Sequence, residues 1–576
     1  DCDLAYAGAR RSAWTLASGV TACGLQRDLA MRSDRLRGTT HLVLVAMALA
    51  ASMHLLALGQ PTVPRFYPDD PLRYDNDRVV DIRRVDDIKL DDYFDFIENV
   101  FLSPGDRRAI HAVNVNTLDE VPDSSWFTNR IGARDLPLEA LVTGPDRPVT
   151  FGAGWTIVGG KNRGFHPGFR AIDRSDPTGT VYQLEVDAPA HPEMASGAEV
   201  IGAAFYHAFG YNTVDVYLTE IDSTRLEIDP KATIRDANGR RPFTRRDLDD
   251  IVQNAARRPN GRIRVTAERF PDEDDMGRFE YHGTRPDDPN DIHLHEHRRE
   301  LRGSRVFAAW LNHDDSRALN TLVLRHREGG RRFFKYYIVD FGSLLGSATR
   351  FADTAQAGRE YALAWRPSLL TFLSFGLYVR PWLHQPPVSD LPAVGRFTAD
   401  GFDPERWVAE YPKVAYENMR ADDAFWAARI VAAFDDVRVR AIVSKGQYSD
   451  PRVVDELTRV LLARRQRILD VWLTAVNPIT HAALSRDGVL TFENVAVTHE
   501  IGGRPDGYIL QWSRFHNEDD THVPIGAPVR VTDPRAELPA TEAVRGADYV
   551  SVAVRTIHPG FPDWRPVQLY FRATSG

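Results

Sequence analysis

Trp310-Leu-Asn-His-Asp-Asp-Ser-Arg-Ala-Leu-Asn320 and, further along, Ile338-Val-Asp-Phe-Gly-Ser343 are the stretches on which the reading of this chain turns. Between them, Thr321–Arg325 and Phe333–Asp340 read as strands, and Glu328-Gly-Gly330 as the turn joining them. A hairpin pivoting on Gly329 and Gly330 pairs residues whose numbers sum to about 660, which sets Asn320 against Asp340. Both side chains offer oxygen, the donor Mg²⁺ prefers, usually as one or two carboxylates completed by water and phosphate. Asp315 precedes Asn320 in the same loop and adds a second carboxylate.

Upstream, residues 155–221 alternate strand and turn before a helix. Thr156–Val158 is a short strand, and Gly159-Gly-Lys-Asn-Arg-Gly164 a glycine turn. Gly168–Asp173 and Val181–Val186 are strands separated by a turn through Asp176-Pro-Thr-Gly179. Pro192–Phe209 has apolar residues at helical spacing, with Pro192 in its first turn and Gly210 as its stop. Val214–Ile221 is strand again. Residues 222–290 read as an insertion with a capping box at Thr244-Arg-Arg-Asp247, a helix to about Ala256 and a strand at Arg262–Phe270. A helix follows from about Glu296 to Leu311, and residues 404–475 are mostly helical. From Leu490 on, short strands between Gly, Pro and Asn turns read as a β-sandwich.

The order of glycine turn, three strands, helix, polar linker, helix, Asp-x₄-Asn, hairpin and Asp-Phe-Gly resembles atypical kinases: HipA-type kinases, the CotH spore-coat kinases and the phosphoinositide-kinase-like group. Pro286-Asp-Asp-Pro-Asn-Asp291, His295-Glu-His-Arg-Arg-Glu-Leu-Arg302 and Ala309-Trp-Leu-Asn-His313 also resemble a family of uncharacterised bacterial exported proteins. The kinase-like resemblance spans about residues 155–475. It implies an α+β fold in which a two-lobed atypical protein-kinase-like domain precedes a C-terminal antiparallel β-sandwich.

It further implies ATP and Mg²⁺ as cofactors. Asp315 becomes the catalytic carboxylate, and Asn320 and Asp340 the metal ligands. Gly159, Gly160 and Gly164 let the backbone approach phosphates. Glu199 is the partner of a phosphate-binding lysine, with Glu193 competing for that role. The third strand should carry the lysine at the position of Glu185, where a carboxylate would repel phosphates. Either the domain is inactive, or Lys161 in the glycine turn reaches the same pocket.

The expected organisation is upstream translation at 1–30, a signal peptide or anchor at 31–59 and an N-terminal extension at 60–150. The kinase-like domain occupies 151–478, with N-lobe 151–221, insertion 222–290 and C-lobe 291–478, and the sandwich 480–576. One helix in the extension, Leu90–Phe101, gathers Tyr93, Phe94, Phe96, Ile97, Val100 and Phe101 mostly on one side. His293, His295 and His297 alternate around Glu296 but lack the His-Glu-x-x-His order of a zinc site. Ser124–Asn129 reads as a packing segment.

The chain has 576 residues, 43% hydrophobic and 26% charged, with a net charge of −9. That is globular composition, and it argues against a nucleic-acid partner. Both cysteines, Cys2 and Cys23, precede the body, which excludes a disulfide framework there. Met31 opens a basic stretch followed by an apolar run from Leu42 to Gly59, the pattern of an export signal. The body is expected outside the cytoplasm: periplasmic, extracellular or anchored through that segment, its only membrane contact. The functional expectation is an exported ATP-dependent phosphotransferase acting on an unknown protein or small-molecule acceptor. The alternative is an inactive kinase-fold scaffold with a β-sandwich adhesion module. A metal-dependent hydrolase is a weaker third reading. The mature protein is expected to begin near Gln60, and N-terminal sequencing that still finds residues 31–55 would exclude cleavage.

Overall fold

The computed structural model describes residues 64–83, 92–161, 166–236, 239–384, 389–540 and 546–572. The apolar run Leu42–Gly59 and the glycine-turn residue Gly164 lie outside them. No helix among the described residues is long and apolar enough to cross a membrane. The chain divides into two compact units, residues 1–65 with 517–521 and residues 66–516 with 522–576. Within the first, Arg65 pairs with Asp520 at 3.2 Å. The second is mixed α+β with several sheets.

Its largest sheet has seven strands: β1 (Trp155–Gly160), β2 (Gly168–Asp173), β3 (Val181–Val186), β4 (Val216–Ile221), β5 (Leu226–Asp236), β6 (Gly239–Pro242) and β7 (Ile263–Arg269), in the order β4-β7-β3-β2-β1-β5-β6. All neighbours are antiparallel except β1 and β5. Alternate residues of these strands, among them Trp155, Ile157, Phe169, Leu184 and Val265, are buried in one core. β7 comes from the stretch read as an insertion, yet it lies inside the sheet between β3 and β4. Only β5, β6 and the helix Arg245–Gln253 are additions at the β1 edge; the expected capping box at Thr244 and Asp247 opens that helix.

β1 runs two residues past its expected end. Gly159 and Gly160 pair with Arg170 and Phe169, so they belong to the strand and not to a turn. A Cβ on Gly159 would lie 2.9 Å from the Thr233 carbonyl, and one on Gly160 2.6 Å from Ile234. The packing of β5 explains both glycines without a phosphate. The helix Met194–Phe209 starts after Pro192, at Glu193, and is buried on nearly every side. Its Gly202 lets Phe341 approach; an added Cβ would sit 2.5 Å from the Phe341 Cβ.

The helix Asp92–Ile97, extended by a wide turn to Leu102, faces opposite to its hydrophobic reading. Asp95 and Asn99 are buried, while Tyr93, Phe94, Ile97 and Phe101 are exposed. The reason is polar: Asn99 donates to Asp95 at 2.9 Å, and Tyr411 donates to the same carboxylate.

The helix Arg299–Leu311 threads the second core. It packs against Ala421–Ala432 and Pro451–Trp472. Its first turn buries charge: Arg298, Arg299 and Arg302 are at most 1% exposed. Arg299 reaches Asp423 at 3.1 Å, Asp422 at 2.9 Å and Asp119 at 2.8 Å. Arg302 reaches Asp423 at 3.5 Å and donates to the Ile110 carbonyl at 2.9 Å. At the other end Arg464 donates to the Ala309 and Trp310 carbonyls of the last turn.

β8 (Asp274–Asp275), β9 (Thr321–Glu328) and β10 (Arg331–Ile338) form a small sheet. In the β9–β10 hairpin Glu328 faces Arg331 and Thr321 faces Ile338, a register sum of 659. The turn is where the glycines put it. The register is one residue from the expected one, so Asn320 faces Val339, whose N–H donates to the Asn320 carbonyl at 3.0 Å. Beyond residue 478, strands Ile479–Leu484, Val489–Asn494 and Arg535–Glu537 form one sheet, and Gly507–His516, Val529–Val531, Tyr549–Ile557 and Val567–Arg572 belong to another. Leu490, Phe492, Leu510, Trp512 and Val552 share one buried cluster.

Asp423 is the counter-charge of two buried arginines. Asp423→Ala is expected to destabilise the fold by about 3–5 kcal/mol, because both guanidiniums keep their burial and lose a partner. Urea unfolding checks this, and a loss under about 1 kcal/mol would show that the pairing contributes little.

Candidate functional site

The site lies where the seven-stranded sheet, the Met194–Phe209 helix and the loop after Leu311 come together. β1 ends at Gly160, and Lys161 turns inward to pair with Glu185 on β3. His166, five residues further along the chain, holds the same carboxylate through Nδ1 at 2.7 Å and contacts the Val186 carbonyl through Nε2 at 2.9 Å. All three groups are buried or nearly so; the Lys161 and Glu185 side chains are 13% and 10% exposed. Burial opposes every charge here, but the two cations hold the Glu185 carboxyl well below its usual range. Burial likewise opposes the Lys161 charge, yet Glu185 and then Asp340 raise its pKa. Lys161 therefore takes up the carboxylate that otherwise stands as a misfit on the third strand.

Glu199 is not the partner of that lysine. It is buried on the helix facing Gly342, where an added Cβ would lie 3.4 Å from its Oε2. Burial first, and then the charges of Asp340, Glu268 and Glu185, push its pKa well up. Glu268 on β7 is pushed up to about 7, again by burial and then by Glu185 and Asp340. Glu193 belongs elsewhere: it pairs with Arg258 at 2.5 Å and accepts from Ser449.

The loop side is held by local hydrogen bonds. The helix ends at Asn312, in left-handed conformation at φ 56°. Asn320 donates from Nδ2 to the Asp315 carbonyl at 2.7 Å and to its Oδ2 at 3.0 Å. Ser343, from the Asp-Phe-Gly-Ser stretch, donates to the same oxygen at 3.2 Å. Arg317 sits 2.8 Å from the other oxygen as a charge contact without hydrogen-bond alignment. Burial pushes Asp315 up to about 6, with Arg317 opposing and Asp340 adding. Asp340 has φ 63°, a strained value for a residue with a side chain. Its charge acts on Lys161, Glu199, Glu268 and Asp315 alike, so it lies within electrostatic reach of all four. Phe341 packs between the Tyr206 ring at 4.9 Å and the His313 ring at 5.9 Å, and Tyr206 O–H and His313 Nδ1 are 2.8 Å apart.

Of the residues singled out from sequence, Lys161, Glu199, Asp315, Asn320 and Asp340 gather here. Gly159 and Gly160 adjoin through β1, and Gly164 is outside the described residues. Sequence reasoning missed His166, Glu268, His313 and Ser343. His313 and Ser343 flank the quoted motifs and were within reach of a local argument. His166 and Glu268 carry no such signal. Oxygen donors at Asn320 and Asp340 suit Mg²⁺, and the buried carboxyls nearby would gain from a cation. Comparison with protein-family models, with curated proteins and with solved structures finds no match to this chain.

A second cluster, His111, Asp119 and Asp422, brings its ligand atoms within 4.8 Å of one another. Its charge is already balanced. Each His111 ring nitrogen faces a carboxylate at 2.8 Å, and Arg299 contacts both acids. The hydrogen bonds to Asp119 and Asp422 push His111 up to about 9. The stability it adds is fully present below its unfolded value of about 6.5 and is lost as pH rises through 9. An NMR titration of His111 is expected to give a midpoint near 9, and Asp422→Asn to lower it; a midpoint below 7 would refute the protonated triad.

Proposed function

We propose that this cleft binds Mg²⁺–ATP and transfers the terminal phosphoryl group to an acceptor hydroxyl. The domain is a two-lobed kinase-like fold from about residue 151 to 478, followed by a β-sandwich at 480–576 and carried in an exported protein. The observation behind the proposal is the meeting of two preorganised pairs around Asp340: Lys161–Glu185 from the sheet and Asp315–Asn320 from the loop. The strand order β4-β7-β3-β2-β1 around the helix Met194–Phe209 supports it, since it brings Glu185, Glu199 and Glu268 to one side of that centre. So does the strained backbone at Asp340, a cost that structures keep chiefly at functional positions.

In this reading Mg²⁺ supplies the charge that neutralises the phosphate oxygens. Asp340 and Asn320 are the residues that would hold it. Lys161 brings its ammonium to the place on the third strand where the resemblance expects a lysine, and Glu185 and His166 fix its position. Asp315 receives the acceptor proton, and Asn320 and Ser343 keep its carboxylate oriented. Its elevated pKa strengthens it as a base while leaving it ionised at neutral pH.

One observation favours the alternative, an inactive scaffold. Glu185, Glu199, Glu268 and Asp340 gather around Lys161 and His166, with Arg278 and Arg317 acting on Glu268 and Asp340 as smaller contributions. Such an acidic cleft repels a free nucleotide, so only a metal-bound one fits.

Calorimetric titration decides. Asp340→Asn is expected to remove most Mg²⁺-dependent nucleotide affinity, by about tenfold or more, because the principal anionic ligand is lost. Asp315→Asn should bind nucleotide nearly as wild type and abolish transfer. Lys161→Ala should weaken binding markedly. Wild-type protein that binds no nucleotide with Mg²⁺ or Mn²⁺ would leave the scaffold reading in its place.

A further inference from the structure

Beside the loop that carries Asp315 is a cavity of about 430 Å³ whose walls include Arg107, Arg305, Lys413, Tyr361, Tyr411 and Tyr416. That volume lies in the range of small-molecule sites. Three cations thus line one cavity, and two of them are unusual. Lys413 is 3% exposed. Its ammonium donates to Ser316 Oγ at 2.7 Å and stands 4.1 Å from the Tyr416 ring and 4.9 Å from the Tyr281 ring. Arg305 donates to two backbone carbonyls, of Glu405 at 2.6 Å and of Trp407 at 2.9 Å. Neither makes an ion pair among the described residues. Arg107 pairs with Glu417 at 2.5 Å and is the more exposed member.

A buried cation is costly unless an opposite charge meets it. Burial pulls Lys413 down to about 7 despite the nearby Asp315 and Asp95, and pulls Arg305 down as well. Hydroxyl, carbonyl and ring contacts satisfy the hydrogen-bonding geometry of both groups, and the acids that act on them, among them Asp315 and Asp95 on Lys413 and Glu405 on Arg305, do so without ion-pair contact among the described residues. An anion entering the cavity supplies what is missing. It would meet an ammonium, a guanidinium and flat aromatic walls at once.

We infer that this cavity is a second binding site, for a small molecule that carries a phosphate or carboxylate group. Ser316, which Lys413 holds, follows Asp315 directly, so the site adjoins the candidate base. On the phosphotransferase reading, from which this step borrows only the word acceptor, the acceptor is an anionic small molecule and its charged end is held by Lys413 and Arg305. Tyr411 contributes wall area and not a free hydroxyl, because its O–H is already given to Asp95.

The test uses the full chain, without metal or nucleotide, at about pH 6.5. Inorganic phosphate and citrate are titrated separately by calorimetry. At least one is expected to bind saturably, and Arg305→Gln and Lys413→Met each to weaken it about tenfold, the worth of one charge-assisted hydrogen bond. Arg107→Gln, at the exposed rim, serves where a buried variant fails to fold and should weaken binding less. Phosphate alone binding assigns a phosphorylated ligand, citrate alone a carboxylated one. No saturable binding of either by wild type overturns the inference, as does binding unchanged in both Arg305→Gln and Arg107→Gln. Because nucleotide is absent, this result stands apart from the Mg²⁺–nucleotide titration: anion binding without nucleotide binding would leave a ligand site on a scaffold.

Discussion

The rest of the structure hangs on the burial of three arginines in the first turn of the helix Arg299–Leu311. Hydrophobic packing is non-directional and tolerates small shifts, but a buried guanidinium needs its partners within hydrogen-bond reach. Arg299 and Arg302 find theirs in Asp423 of the helix Ala421–Ala432 and in residues 110 and 119 of the extension. Arg298 finds Asp291 at 3.0 Å and lies 4.6 Å from the Trp126 ring. His295 and His297 belong to the same network, through Asp291 at 2.6 Å and Asp106 at 3.0 Å. These histidines are therefore structural, and their alternation reflects two carboxylates on two sides of a short turn. The extension is part of this core, because without it Arg299 would lose Asp119 and Arg302 the Ile110 carbonyl.

The far end of that helix transmits the constraint to the candidate site. Arg464 ties its last carbonyls to the helix Pro451–Trp472, and Trp310 returns a bond from Nε1 to the Leu461 carbonyl at 2.9 Å. With both ends fixed, the left-handed residue Asn312 starts the loop at a set angle. Asp315 is then positioned by Asn320 and Ser343, which arrive from either side of the β9–β10 hairpin. Preorganisation of this kind costs nothing at the moment of reaction, because the alignment is already made in folding.

What the sequence disclosed follows the range of the interactions concerned. Asp315, Asn320 and Asp340 were legible because a short hairpin with two turn glycines joins them, and local chain geometry settles the rest to within one residue. The strands from Gly168 to Val186 were legible from alternation. Glu185 stands out in the sequence as a carboxylate where a lysine is expected, and Lys161 as the cation that could reach the same pocket; their direct pairing, and the second contact from His166, have no periodic signal. β7 was assigned to an insertion because the chain leaves the sheet for β5, β6 and a helix before returning. The helix Asp92–Ile97 was turned the wrong way round: its apolar residues outnumber its polar ones, yet a hydrogen-bonded Asp95 and Asn99 decided which side went inward.

The cleft's charge explains why one fold can support two such different functional readings. Four carboxyls around two cations do not all ionise easily at close range, and the pKa values of Glu199 and Glu268 are pushed up, by burial first and then by the neighbouring acids. The site is thus less negative than its residue count suggests, and protons occupy part of the role of a cation. Bringing in a divalent ion would release them, because the ion favours the ionised carboxylates that the protons suppress. Bringing in a bare nucleotide would do the reverse. On the phosphotransferase proposal, metal and nucleotide would be coupled through Glu199 and Glu268 without either residue touching them. On that proposal, the coupling would make the acidity of the site compatible with phosphoryl transfer: it would favour a metal-bound nucleotide over a free one, while Lys161 keeps its pairing with Glu185, which His166 also holds.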